Sequence, residues 1–204
     1  MFSSWKKGPH ANIEIHKPAY KKYIEKSGFQ VLAAILLLVV AVVAFKYFVR
    51  ADGPQIILNT LTLNKGSLDV VKRSTLITQT DELVRDTGNR KISGDWKELS
   101  ACVASGCKNN QYFNFIITVT ENQNVPNSDL ILNLFRTYKY WNSAEDIVDF
   151  SKALTEVNNA VDSLGSRALT KAWGEIVKCN GQCSNSDELY FEMIRAIVLE
   201  SAQE

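Results

Sequence analysis

The sequence predicts an all-α protein in which one N-terminal transmembrane helix precedes a tandem duplication of a roughly four-helix unit, each copy with a local disulfide. Three observations predict it. An apolar run near the N-terminus has no polar face, apolar residues recur at steps of three and four along the later chain, and residues 52–121 align on residues 129–200 at an offset of 77. With 204 residues and 46% apolar content, the chain accommodates one anchor and one further domain with a core of its own.

From Phe29 to Val49 the chain reads FQVLAAILLLVVAVVAFKYFV. As a helix this is ~31 Å long, which matches the hydrocarbon thickness of a bilayer. Lys46 stands close enough to the end to snorkel, and Tyr47 and Phe48 suit an interfacial aromatic belt. Residues 1–28 form a basic tail. Lys17, Lys21, Lys22 and Lys26 crowd its membrane flank, where they meet lipid head groups, whereas Asp52 soon follows Lys46 and Arg50 on the other side. The positive-inside bias therefore places the N-terminus in the cytoplasm and the chain beyond residue 51 outside the cytoplasm, with residues 29–49 as an uncleaved signal anchor in the cell membrane. Lys26-Ser27-Gly28-Phe29 ahead of the apolar run resembles the processing site of type IV prepilins. That resemblance implies a pilin-like structural subunit cut after Gly28; the family's Glu at the fifth position after the cut is replaced here by Ala33.

The self-match is anchored by Trp96-Lys97-Glu98-Leu99-Ser100-Ala101-Cys102 against Trp173-Gly174-Glu175-Ile176-Val177-Lys178-Cys179. In the same register Thr60 meets Thr137, Val84 meets Val161, Gly88 meets Gly165 and Arg90 meets Arg167. Downstream the spacing slips, pairing Cys107 with Cys183 and Tyr112-Phe113 with Tyr190-Phe191. The domains are thus helical repeat 1 (52–121), a polar linker containing Pro126 (122–128) and helical repeat 2 (129–204). In repeat 2, Ile131, Leu134, Phe135, Tyr138 and Trp141 predict a helix over Asp129–Trp141. Ile147, Phe150, Leu154, Val157, Val161 and Leu164 predict another, capped by Ser143 and stopped by Gly165. Helices are also expected over Arg167–Cys179 and Ser186–Ser201. Asn110–Glu121 is β-branched enough to suit a strand, and its alignment with Leu189–Glu200 makes it a helix. A short solenoid-like stack of the two copies is expected.

The cysteines fall in two close pairs, Cys102/Cys107 and Cys179/Cys183, beyond the span. Outside the cytoplasm such pairs read as two disulfide clips, each closing a turn after the Trp helix. In a cytoplasm-facing domain the alternative is a four-Cys zinc site built across the duplication.

Residues 51–204 carry fifteen Lys/Arg against twenty Asp/Glu, so this mildly acidic region offers no basic stripe for nucleic acid. Its composition also argues against an enzyme. The two histidines, His10 and His16, lie in the tail, which leaves the later chain without histidine-based acid–base chemistry, and no phosphate-cradling Gly-rich loop or nucleophile elbow is present. Glu145 and Asp146 complement a helix N-terminus. No cofactor and no metal other than the zinc alternative is expected. Lys139 and Tyr140 point off the apolar face of their helix and are the candidate partner surface. The function expected is a single-pass, membrane-anchored extracytoplasmic helical-repeat module acting in protein–protein interaction or as a scaffold subunit of an envelope complex.

Overall fold

The computed structural model describes residues 31, 34–37, 52–143 and 147–201. The chain divides into two compact units, Met1–Phe48 and Val49–Glu204. In the first, residues 31 and 34–37 are helical, and Val31, Ile35, Leu36 and Leu37 are exposed. The basic tail, the processing site after Gly28 and the rest of the expected 29–49 span lie outside the described residues. Among the described residues no helix is long and apolar enough to cross a membrane.

The second unit is built of helices, with no strand among the described residues. They are α1 (Asp52–Asn64), α2 (Val70–Thr87), α3 (Arg90–Val103), α4 (Asn109–Asn122), α5 (Ser128–Ser143), α6 (Ile147–Leu164), α7 (Arg167–Cys179) and α8 (Ser186–Glu200). Local chemistry sets the breaks. Gly88 ends α2 at φ 63°, a left-handed conformation that favours glycine, and the Asn89 side chain then accepts from the backbone N–H groups of Lys91 and Ile92 to start α3. The α6–α7 corner repeats this device. Gly165 has φ 61°, and Ser166 Oγ caps α7 by accepting from the Leu169 N–H. One expected boundary is corrected: Ser143 is the last residue of α5, not the cap of the next helix. Nothing in Trp141-Asn142-Ser143 breaks a helix, since neither Gly nor Pro occurs there. Glu145 and Asp146 lie outside the described residues.

Positions 77 residues apart occupy matching environments. Trp96 is buried and donates from Nε1 to Asp81 Oδ1; Trp173 is buried and donates from Nε1 to Asn158 Oδ1 at 2.6 Å. Thr60 and Thr137 are both fully buried within their helices, as are Ile92 and Leu169 beside their caps. At the slipped offset of 78, Ile116 and Ile194 are buried alike, and so are Val119 and Ile197. The strand-like run Asn110–Glu121 lies within α4 because this face, with Tyr112, Phe113, Phe115, Ile116 and Val119, enters the core. Tertiary burial outweighs β-propensity there.

The halves do not stack head to tail as a solenoid. α5 follows α4 and packs on it, and α1 also packs on α8, so the first and last helices meet. Exchanging the halves maps the α4–α5 pairing onto α8–α1, the signature of a two-fold rather than a translational relation. Phe113 and Phe191, equivalent in sequence, stack with ring centroids 4.2 Å apart and planes at 18°. A two-fold lets the most apolar patch of each half bury against its own counterpart. A head-to-tail stack would leave one of the two exposed.

Candidate functional site

The two-fold relation creates two seams between the halves, one between α4 and α5, the other between α8 and α1. Equivalent in position, they differ in what fills them. The α4–α5 seam is an open groove of about 470 Å³. Its floor is apolar, with Phe113 and Ile117 from α4 and Leu132, Phe135 and Tyr138 from α5. Asn110, Asn114 and Glu121 rim it on one side, Arg136 and Lys139 on the other. The α8–α1 seam holds about 160 Å³. There Lys65 Nζ reaches across to Glu192 Oε1 at 2.7 Å, and Arg195, on the same helix as Glu192, also lines the seam, its Nε 4.0 Å from Glu192 Oε2.

The walls of the open seam are held from behind. Tyr138 Oη donates to Asp187 Oδ1 at 2.7 Å, and Asn109 Nδ2 donates to Asp187 Oδ2 at 2.6 Å. One carboxylate on α8 thereby fixes both α4 and α5. Tyr190 Oη and Thr137 Oγ1 lie 3.0 Å apart in the core beneath, and the Tyr138 ring meets Tyr190 edge-on and Phe113 at 4.5 Å. Burial raises the Tyr138 hydroxyl well above the ordinary phenolic range, reinforced by its hydrogen bond to Asp187 and that group's negative charge. Burial does the same for Tyr190, against an opposing hydrogen bond from Thr137. Both hydroxyls stay neutral at physiological pH and serve as fixed hydrogen-bonding posts.

Lys139, a candidate partner-surface residue, is exposed on the groove rim. Tyr140 is partly exposed and stacks on Phe150 with centroids 4.0 Å apart and planes at 15°, apart from the residues that line the groove. The start of α6 folds back over the end of α5 and covers that ring. Residue-by-residue reading did not single out Ile117 and Leu132, which also line the groove. A signal for them existed: at the 78-residue offset Asn110, Asn114 and Ile117 replace Glu188, Glu192 and Arg195, so the polar cover of one seam is absent from the other.

The cysteines pair within each half, Cys102 with Cys107 (Cα–Cα 5.0 Å) and Cys179 with Cys183 (Cα–Cα 5.3 Å), both at disulfide distance. Each joins the end of its Trp helix to the following loop, in the same place in the two halves. The four-Cys zinc alternative is corrected accordingly: the thiols are engaged locally, and among the described residues no group of three or more His, Cys, Asp or Glu is placed to hold a metal ion. Comparison with known protein families, curated proteins and solved structures returns no match to this chain.

Proposed function

We propose that this chain is a single-pass membrane-anchored module, arisen by duplication of a four-helix unit, whose second unit stands outside the cytoplasm and binds another protein through the α4–α5 seam. The observation that carries the reading is the open apolar groove itself. A preformed trough between two helices, walled by Phe113, Phe135 and Tyr138 and rimmed by polar side chains, has the anatomy of a protein-recognition site. Asp187 gives it rigidity, which lowers the ordering cost of binding. Supporting the anchor are the apolar run 29–49, the exposed apolar side chains at positions 31 and 35–37, and the Lys-rich flank on one side. The local cysteine pairs suit an oxidising compartment.

Ile117→Arg, which installs the residue of the other seam, tests the binding role. In gently solubilised membranes the native chain is expected to migrate in an assembly larger than itself on native electrophoresis, and the variant alone; identical migration contradicts the role. Alkylation of intact cells tests the topology. The four thiols are expected to resist modification until reduced, and an intact mass that includes Met1 separates the anchor from the pilin-like alternative, whose mass begins at Phe29.

A further inference from the structure

The corner between α2 and α3 recurs in the second half between α6 and α7, with different side chains. In the first half it holds an open pocket of about 470 Å³ over the buried Val84 and Trp96. Arg85 in the last turn of α2 and Arg90 and Lys97 on α3 line it, all three exposed, together with one carboxylate, Asp81, whose Oδ1 accepts from Trp96 Nε1. Among the described residues none of these cations makes an ion pair. At the 77-residue offset Arg85 becomes Asp162, Lys97 becomes Gly174 and Asp81 becomes Asn158, and the one cation kept is Arg90, as Arg167. The second corner still closes with the same left-handed glycine, helix cap and tryptophan anchor. Folding therefore does not require the cations of the first corner, and gathered beside one carboxylate they repel one another until an anion joins them.

We infer that this pocket binds a phosphomonoester, carried on a soluble molecule or on a lipid head group. Three cations against one carboxylate leave two positive charges, which a phosphomonoester of charge about −1.5 to −2 near pH 7 neutralises. Arg85 and Arg90 supply planar donor forks that match phosphate oxygens, and Lys97 adds a point charge. Val84 and Trp96 give the ester group an apolar floor. A monocarboxylate would leave the pocket cationic. The site shares no lining residue with the α4–α5 groove, so it stands or falls apart from the proposed binding role.

Isothermal titration of phenyl phosphate into the full chain in neutral detergent is expected to show one saturable site. Its affinity should fall roughly tenfold in the Arg85→Asp, Lys97→Gly double variant, which installs the residues of the second corner. Arg85→Gln with Lys97→Gln, which removes the charge without adding a glycine, should weaken it too, and helical circular dichroism should be retained in both. Repeating the titration with phosphatidic acid in the detergent separates the sources. Loss of the phenyl phosphate heat assigns the site to a lipid head group and its persistence to a soluble ester, and either result supports the site. Absence of saturable binding, or equal affinity in the native chain and both variants, overturns the inference. Benzoate bound as tightly as phenyl phosphate overturns the phosphomonoester assignment.

Discussion

The two seams are built from corresponding helices around the same stacked Phe113–Phe191 pair, yet one is bridged by the Lys65–Glu192 ion pair and the other lies open over Phe135, Ile117 and Leu132. Helix order and many core positions correspond, and the rim side chains differ. The two-fold arrangement buries the aromatic patches of the two halves against each other and leaves two seams at equivalent positions on the surface. One holds an ion pair across it and the other is an accessible trough.

The comparison breaks first at the shared centre. Phe113→Ala and Phe191→Ala should each destabilise the unit by about 3–5 kcal/mol, the cost of truncating a buried phenylalanine, and the double variant should depart from additivity by roughly 0.5–3 kcal/mol because the rings touch. Denaturant unfolding followed by circular dichroism measures both; strict additivity would mean that the rings do not share one site. Asp187→Ala comes next. It leaves the Tyr138 hydroxyl and the Asn109 amide without their acceptor, a loss of about 2 kcal/mol that should also weaken retention in the larger assembly, whereas Asp187→Asn should recover part of both.

The clips sharpen the comparison in another way. Replacing Cys102 and Cys107 together by Ser should cost about 2 kcal/mol, and so should replacing Cys179 and Cys183, because the loops closed are nearly equal in length. A large inequality would show that the two halves are not matched in this respect. The tyrosines at the seams add a pH dependence. With the folded values of Tyr138 and Tyr190 raised, the unfolded chain releases its phenolic protons first, so stability is fully present below the ordinary value of 10.0 and falls as pH rises beyond it. Tyr138→Phe should make that alkaline fall shallower in pH-dependent denaturant melts. The smallest effect belongs to Lys65→Ala, which removes a half-exposed ion pair worth at most about 1 kcal/mol and should leave the assembly unchanged.

The helices were legible in the sequence wherever period, cap and stop agreed. Gly88-Asn89 and Gly165-Ser166 end one helix and begin the next by the same local chemistry, which short-range reading captures. Asn110–Glu121 was legible as helix only through its alignment with Leu189–Glu200, since its own β-branched residues point to a strand and tertiary burial makes it a helix. The cysteine pairing followed from proximity along the chain. The site was less legible. Of the two residues read as a candidate partner surface, Lys139 lies on the groove rim and Tyr140 stacks on Phe150, a contact that depends on how α6 packs on α5. Arg136, Ile117 and Leu132 become a site only when α4 and α5 are set side by side as one of two related seams. That arrangement reflects the two-fold packing of the halves, which no single stretch of residues encodes.

Hydroxyl-radical footprinting of the full chain, in its native membrane and again after purification, tests the contrast between the seams most directly. The account predicts that Leu132, Ile117 and Tyr138 are protected in the membrane and become reactive on purification, while Leu61 and Phe191 at the bridged seam react equally little in both states. Equal reactivity of Leu132, Ile117 and Tyr138 before and after purification would contradict it, because the open seam would then have no occupant to lose.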